Sequence, residues 1–303
     1  MEIKYLKVDT SESIDRVDKY IASEIDDFSR SFVQDLIKSG KVKVNDKVVK
    51  ANYIVSLNDT ICIEVPDPVL VDVKAEDIPL DIYYEDSDVI VVNKPSGMVV
   101  HPAVGNITGT LVNALMYHCN DLSGIGGEIR AGIVHRIDKD TSGLLVACKN
   151  DFAHKDLSLQ FFNKTVERKY YAICSGVIPH NLGKIDAPIG RDLNDRQRMG
   201  IVENGKHAIT HFKVIERFKQ HTLIECELET GRTHQIRVHM KYIGYPVLGD
   251  PLYGYKKDVD LEYGQYLHAK TLGFIHPRTK EYLHFESPLP EYFLKKLEEV
   301  KNK

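Results

Sequence analysis

The chain has no tryptophan among its 303 residues, and only 9% of its side chains are aromatic. No apolar run approaches the ~18 residues a membrane helix requires, which excludes a helical membrane protein. The amino terminus, Met1-Glu2-Ile3-Lys4, has no basic region followed by an apolar stretch, so no secretory signal is expected. Cysteine is scarce. Cys62, Cys119, Cys148, Cys174 and Cys226 are odd in number, widely spaced and without a C-x-x-C pair, which reads as reduced thiols in a cytoplasmic protein. A G-x-S-x-G elbow is absent, and the glycines between Gly124 and Gly127 are not followed by Lys-Ser/Thr, so neither a serine nucleophile nor a phosphate cradle is indicated. His234 and His239 stand five apart, His207 and His211 fall in a strand-like run, and none has a nearby Cys, so no metal site is expected. Repeats, low-complexity tracts and heptads are also missing.

An excess of positive charge is lacking too: 40 Lys plus Arg stand against 44 Asp plus Glu, a net of −4, which taken alone argues against nucleic acid. The distribution reverses that reading. Residues 1–90 hold 11 basic and 20 acidic side chains, a net of −9, which leaves +5 for residues 91–303. Within the acidic part, residues 28–50 form a basic island with six cations and two anions.

What is present is enough apolar material, 43%, for about two domains. After Ser13 and Asp15, residues Val17, Tyr20, Ile21 and Ile25 fall at helical spacing. A second helix is predicted from about Ser31, with Ser31 and Gln34 as a capping box and Gly40 as its stop. Lys41 to Lys50 reads as a hairpin turning at Asn45-Asp46, with Asp where Gly is more comfortable, and Ile61, Ile63 and Val65 alternate as a further strand. A linker is expected from Pro66-Asp67-Pro68 to Pro79. The chain is therefore read as a small α/β module in residues 1–70, centred on about 13–65, a linker to about 80, and a larger α+β domain over 80–303. In the larger part, strands are expected at Ile82–Val92, Gly143–Cys148, Tyr170–Cys174, Thr222–Leu228 and Tyr282–Phe285, and helices at Thr110–His118 and His154–Phe162.

Two segments are dense in chemistry. Gly132 to Val146 places His135, Arg136, Asp138, Lys139 and Asp140 between two apolar runs. Gly231 to His239 gathers Arg232, His234 and Arg237, a composition suited to binding phosphate or pairing a carboxylate. Together with Lys94-Pro95-Ser96-Gly97, Arg168-Lys169-Tyr170, Leu248-Gly249-Asp250 with Tyr253-Gly254, and Leu267-His268-Ala269, these runs resemble the RluA/RluD-type pseudouridine synthases in order and approximate spacing over about residues 80–290. Residues 13 to about 65 resemble the alpha-L RNA-binding module, through Arg16 to Tyr20, Ser29-Arg30-Ser31, Leu36-Ile37, Gly40 and Val42 to Asn45.

The resemblance implies a pseudouridine synthase fold with a mixed, largely antiparallel sheet flanked by helices. It implies an enzyme that breaks the bond from ribose to uracil nitrogen and rejoins the ribose to carbon five, with no cofactor or metal. Asp138 then matches the catalytic aspartate, Arg237 the arginine that pairs with it, and Tyr170 the active-site tyrosine, as a face for the uracil or a base at carbon five. Arg136 matches an arginine that fills the gap left by a flipped base, and His135 is read more as a support for the loop than as a proton carrier. RNA contacts are expected at Arg136, His135, Arg30, Lys41, Lys43, Arg232 and His234, with Lys149, Lys155, Lys164, Arg191, Arg196 and Arg198 as a further group of phosphate contacts. The expected partner is RNA, large-subunit ribosomal RNA or its precursor, acted on by a cytoplasmic monomer with no membrane or small-molecule partner. A tRNA-directed or dual-specificity synthase, and a non-catalytic RNA-binding assembly factor on the same fold, are the alternatives.

Overall fold

The computed structural model describes residues 2–9, 15–25, 28, 30–65, 73–103, 106–125, 127–192, 195 and 198–302, without the side chains of Glu2, Ser31 and Glu128. The Ser13 start of the first helix, Ser29, the Pro66-Asp67-Pro68 part of the linker, and Arg196 lie outside the described residues. The chain divides into two compact units, residues 1–71 and 72–303.

In the first unit, β1 (Glu2–Lys7), α1 (Val17–Glu24), α2 (Arg30–Lys38), β2 (Val42–Val44), β3 (Lys47–Val48) and β4 (Thr60–Val65) follow one another, and the antiparallel sheet runs β1-β4-β2-β3. Val17, Ile21, Val33, Val42, Ile61 and Ile63 are fully buried between helices and sheet. The turn at Asn45-Asp46 forms although it lacks glycine: both residues have positive φ, 49° and 64°, as a tight hairpin turn demands. The Asn45 amide anchors it by donating to Asp59 at 2.7 Å and accepting from the Thr60 N–H at 3.0 Å. Helix α2 already starts at Arg30, and the Gln34 amide donates to Asp18 at 2.6 Å; the Ser31 half of the expected capping box lies outside the described side chains. Asp18 is fully buried, and Arg16 and Arg30 also donate to it at 3.0 Å each. Burial would raise this carboxyl, but these three donors outweigh it and hold it below the usual range. Strand β1 was not expected from the sequence: Ile3 and Tyr5 point outward while Lys4 and Leu6 face the module, so apolar side chains fall on both faces.

The second unit is built on a nine-stranded sheet. Its strands are β5 (Ile82–Glu85), β6 (Val89–Lys94), β7 (Ser142–Cys148), β8 (Glu167–Ser175), β9 (Leu182–Asp186), β12 (Ile209–Arg217), β13 (His221–Leu228), β14 (Leu267–Ile275) and β15 (Tyr282–Glu286). A separate ribbon pairs β10 (Ile189–Arg191) with β11 (Met199–Ile201). The order is β5-β6-β7-β14-β8-β13-β12-β9, with β15 beside β14, and only β7 and β14 run parallel, so the sheet is mixed and largely antiparallel.

Alternation along the central strands buries both faces. Ile90, Val92, Leu145, Ala147, Tyr170 and Ala172 face one core, which α3 (Leu111–His118) and α5 (Gln235–Tyr242) cover with Leu111, Leu115, Ile236 and Met240. Val89, Val91, Leu144 and Val146 face the other, against Ala153 and Leu157 of α4 (Asp151–Phe162). The carboxy-terminal α6 (Glu291–Asn302) closes a third cluster with Phe293, Leu297 and Val300. Caps place these helices: Thr110 and Asn113 form a capping box on α3, and the Asn150 side chain accepts the Ala153 N–H at the start of α4. Gly143 is required where β7 meets β14, because its φ is +117° and a Cβ there would collide with the Ala269 backbone. Among the described residues no helix is long and apolar enough to cross a membrane.

Candidate active site

Asp138 lies on the loop that leads from Ile133 into β7, at the edge of a cleft of about 510 Å³ that Arg136, Tyr170, Arg232 and Arg237 also line. Lys94 holds this loop from below. Its fully buried ammonium donates to the carbonyls of Pro95, Met98 and Lys139 at 2.7, 2.8 and 2.9 Å. Burial pulls that ammonium down to about 7, against the opposite pull of Asp140 and Asp138. The Ser96 hydroxyl, 2.9 Å from the Asp140 carbonyl, and the Gly97 N–H, 3.0 Å from the Lys139 carbonyl, complete the clamp.

The Asp138 carboxylate is one-fifth exposed and receives the Arg237 Nη1 donor at 2.9 Å. Arg237 is itself buried on α5, and the other edge of its guanidinium makes a two-point contact with Asp250, Nε at 2.7 Å and Nη2 at 2.9 Å. Asp250 is fully buried and also accepts the N–H groups of Leu252 and Tyr253. Burial by itself would weaken the Arg237 cation, but the two carboxylates outweigh it and hold its pKa above the usual arginine range. The guanidinium also sits 5.1 Å from the Tyr253 ring centre. The arrangement presents one carboxylate to the cleft, with its orientation set by an arginine that a second carboxylate locks in place.

Tyr170, on β8, is 7% exposed, and burial raises its phenol above the ordinary value, with Arg168 opposing and Asp138 adding to the shift. Its proton is therefore firmly held at neutral pH. His234 stands at the start of α5 with a left-handed backbone, φ 56°, and brings Nε2 to 4.0 Å from Asp138. The Tyr253 hydroxyl accepts the Met199 N–H at 2.8 Å and lies 2.8 Å from His234 Nδ1. Burial lowers the His234 pKa, partly offset by Asp138.

His135 does not reach out of the cleft. Its ring stacks on Phe161 at 4.5 Å and its Nε2 accepts the Val146 N–H at 3.1 Å, so it ties the loop to β7 in the neutral form. Burial and then the Arg168 charge push it down to about 3. Arg136 is exposed at the cleft mouth with Nη2 3.3 Å from the Thr233 hydroxyl, and Arg232 is held by the His207 carbonyl at 2.9 Å.

In the first unit, Arg30 is spent on Asp18 and Lys43 on Glu64 at 2.9 Å, while Lys41 is half-buried after α2. Lys149, expected to meet phosphate, is 13% exposed and paired with Glu85 at 2.8 Å, so it is a structural cation. Lys164 and Arg198 face Glu229 and Asp195, and Lys155 is exposed. Two clusters of metal-ligand type occur among the described residues, Glu85-His118-Cys119 and Asp86-Asp88-His276, and each already holds a cation of the chain, Lys149 and Arg278 respectively. Sequence reasoning did not single out the functions of Lys94, Arg168, Asp250 and Tyr253. The Leu248-Gly249-Asp250 run was the one available signal for Asp250.

The neutral buried histidines have a consequence in acid. His268, hydrogen-bonded to the Ser142 and Ser287 hydroxyls at 2.8 Å each, is lowered to about 4, chiefly by burial and then by Lys270. An unfolded histidine takes up its proton near ~6.5, so the unfolded state binds more protons than the folded one between that pH and these lowered values. Their contribution is whole above that range and is lost as pH falls toward 4 and 3. The melting temperature is expected to drop steadily from pH 6.5 to 4.5, and His268→Gln is expected to flatten that slope in a thermal-melt series. An unchanged slope removes His268 as a source.

Comparison with known proteins accords with this geometry. The RNA pseudouridylate synthase family matches residues 88–242, and the S4 domain matches residues 16–61. An uncharacterized RNA pseudouridine synthase of Bacillus subtilis (strain 168) is 60% identical over 287 residues, 95% of this chain and 94% of that protein. The ribosomal large subunit pseudouridine synthase D of Zymomonas mobilis is 47% identical over 292 residues, 91% of this chain and 90% of its own. Human RNA pseudouridylate synthase domain containing 1 superposes with a TM-score of 0.58 at 28% identity, over 74% of this chain and 86% of that one. The cleft around Asp138, the sheet beneath it and these relatives agree that the chain belongs to the RNA pseudouridylate synthase family, an RNA-modifying isomerase with an S4 domain at its amino terminus.

Proposed function

We propose that the chain isomerises uridine to pseudouridine in large-subunit ribosomal RNA, with Asp138 acting on a base flipped into the cleft. The observation that carries this reading is the Asp138 carboxylate at the cleft, aimed by the Arg237 donor at 2.9 Å and compensated through Asp250. A uridine in a stem or stacked loop hides its glycosidic bond, so the base must leave the stack to meet that carboxylate. Asp138 attacks as nucleophile or base while the Arg237 donor holds it in place. Tyr170 offers its ring as a face for the uracil, because its raised pKa makes it a poor base at neutral pH. Arg136, exposed at the mouth, supplies a planar guanidinium to fill the vacated place in the stack.

The choice of ribosomal RNA rests on relatives named ribosomal large subunit pseudouridine synthase D, at 44% to 47% identity over most of the chain, together with the S4 domain. The same reading makes it a cytoplasmic enzyme working as a single chain. Incubating the purified protein with protein-free large-subunit RNA, small-subunit RNA and tRNA, followed by pseudouridine mapping, is expected to mark the large-subunit RNA alone. Modification confined to tRNA would overturn the choice of substrate.

A further inference from the structure

Arg168 is the buried charge that the reaction scheme above leaves without a task. It lies two residues before Tyr170 on β8, so both side chains leave the same face of the sheet and both line the cleft. The residue is 8% exposed. Among the described residues it has no carboxylate partner, its Nε has no hydrogen-bond acceptor, and its one hydrogen bond is a long one, Nη2 to the Leu228 carbonyl at 3.3 Å. Its guanidinium lies 5.5 Å from the Phe161 ring centre. Room for it is kept by Gly231, where a Cβ would come within 2.9 Å of Nη1.

A buried guanidinium without a counterion is costly, and natural proteins rarely leave one unpaired unless a ligand completes it. Arg237 shows the alternative in the same cleft, with two carboxylates around one arginine. The position of Arg168 selects its ligand. Phosphates follow the RNA backbone past the mouth of the cleft, where Arg136 and Arg232 are exposed. The part of the substrate that reaches the floor beside Tyr170 is the flipped base.

We propose that Arg168 binds a carbonyl oxygen of the target uracil and stabilises the negative charge that the base carries once its bond to ribose breaks. The inference rests on the proposed isomerisation. When the bond from C1′ to N1 breaks, its electron pair stays on the base, and the charge spreads over N1 and the two carbonyl oxygens. The bond from C5 to C1′ then forms, C5 loses its proton and N1 gains one, so the net change is an isomerisation. A preorganised donor directed at an oxygen where charge develops lowers that barrier, and removing one such donor typically costs about 10²- to 10³-fold in rate.

The test is single-turnover kinetics with enzyme in excess over a short RNA bearing the mapped uridine. Arg168→Met is expected to slow pseudouridine formation at saturating enzyme by about 10²-fold or more, with RNA affinity changed by less than about threefold, since no phosphate contact is lost. Substituting 2-thiouridine or 4-thiouridine at the target provides a readout that a structural role would not move. One of the two is expected to slow the wild type, because sulfur is a weak acceptor, and to have no further effect in Arg168→Met. Should Arg168→Met not fold, as judged by its melting curve, the same thio comparison is made with Arg168→Lys, which keeps the charge and loses the fork. A saturating rate within threefold of wild type, a loss confined to RNA affinity, or thio effects equal in wild type and variant would each overturn the assignment. Wild-type protein that forms no pseudouridine in any RNA overturns the underlying isomerase reading instead, so the two failures are distinct.

Discussion

Asp138→Asn is expected to melt within a few degrees of wild type and to form pseudouridine at a rate lower by at least ~10⁴-fold, the scale of loss when a nucleophile is removed. The substitution keeps the shape of the side chain and leaves an oxygen that Arg237 Nη1 can still reach. Arg237 also keeps its two-point contact with Asp250, so no buried charge is orphaned. The stability change is then that of one hydrogen bond, about 1 kcal/mol. What disappears is the negative charge at the one place in the cleft where the chain presents a carboxylate held by Arg237. RNA binding, measured by filter retention or fluorescence, is expected to persist, since phosphates and not this carboxylate supply most affinity. Turnover above background, in protein checked by mass spectrometry for reversion to Asp, would remove Asp138 from its role.

The second large effect is at a residue that the substrate does not touch. Asp250→Ala deletes the acceptor of four hydrogen bonds, two from Arg237 and one each from the Leu252 and Tyr253 N–H groups. Asp250 is completely buried, and truncating one partner of a buried ion pair costs about 3–5 kcal/mol because the other charge stays behind. For a unit of this size that is a fall in melting temperature of roughly 10 °C. Arg237 is then free to close onto Asp138 with both edges, which turns the carboxylate away from its working direction. Displacements of that kind cost about 10²-fold in rate. Asp250→Asn keeps the volume and part of the hydrogen bonding, and is expected to fall between Asp250→Ala and wild type in both measurements. Wild-type melting and turnover in Asp250→Ala would show that Arg237 is oriented by something else.

Local pattern made much of the chain legible. Short β-rich runs located β7, β8, β13 and β15 to within a few residues, and a helical patch at Thr110–His118 located α3. These succeed because each element carries its own buried face in its own sequence. Strand β1 carries no clear buried face of that kind, with Ile3 and Tyr5 facing out, and it pairs with β4 more than fifty residues away. Gln34 likewise meets a distant partner, Asp18, that no local spacing reveals. Lys149 looked like any surface lysine until Glu85 of β5 was found beside it.

At the site, the sequence alone determined which residues belong together. The runs around Asp138, Tyr170 and Arg237, matched through their resemblance to a known enzyme family, named the residues that line one cleft. It also determined the chemistry available to them, since charge and hydrogen-bonding capacity belong to residue type. Tertiary structure decided what each of these groups is free to do. Asp250 locks Arg237, Lys94 ties the loop at the Lys139 carbonyl to its own turn, His135 turns inward to Val146, and Arg168 has no counterion in the cleft among the described residues. Burial and the partner across the fold set the protonation state and direction of a side chain, and both are sums over neighbours that the folded chain brings together from far apart in sequence.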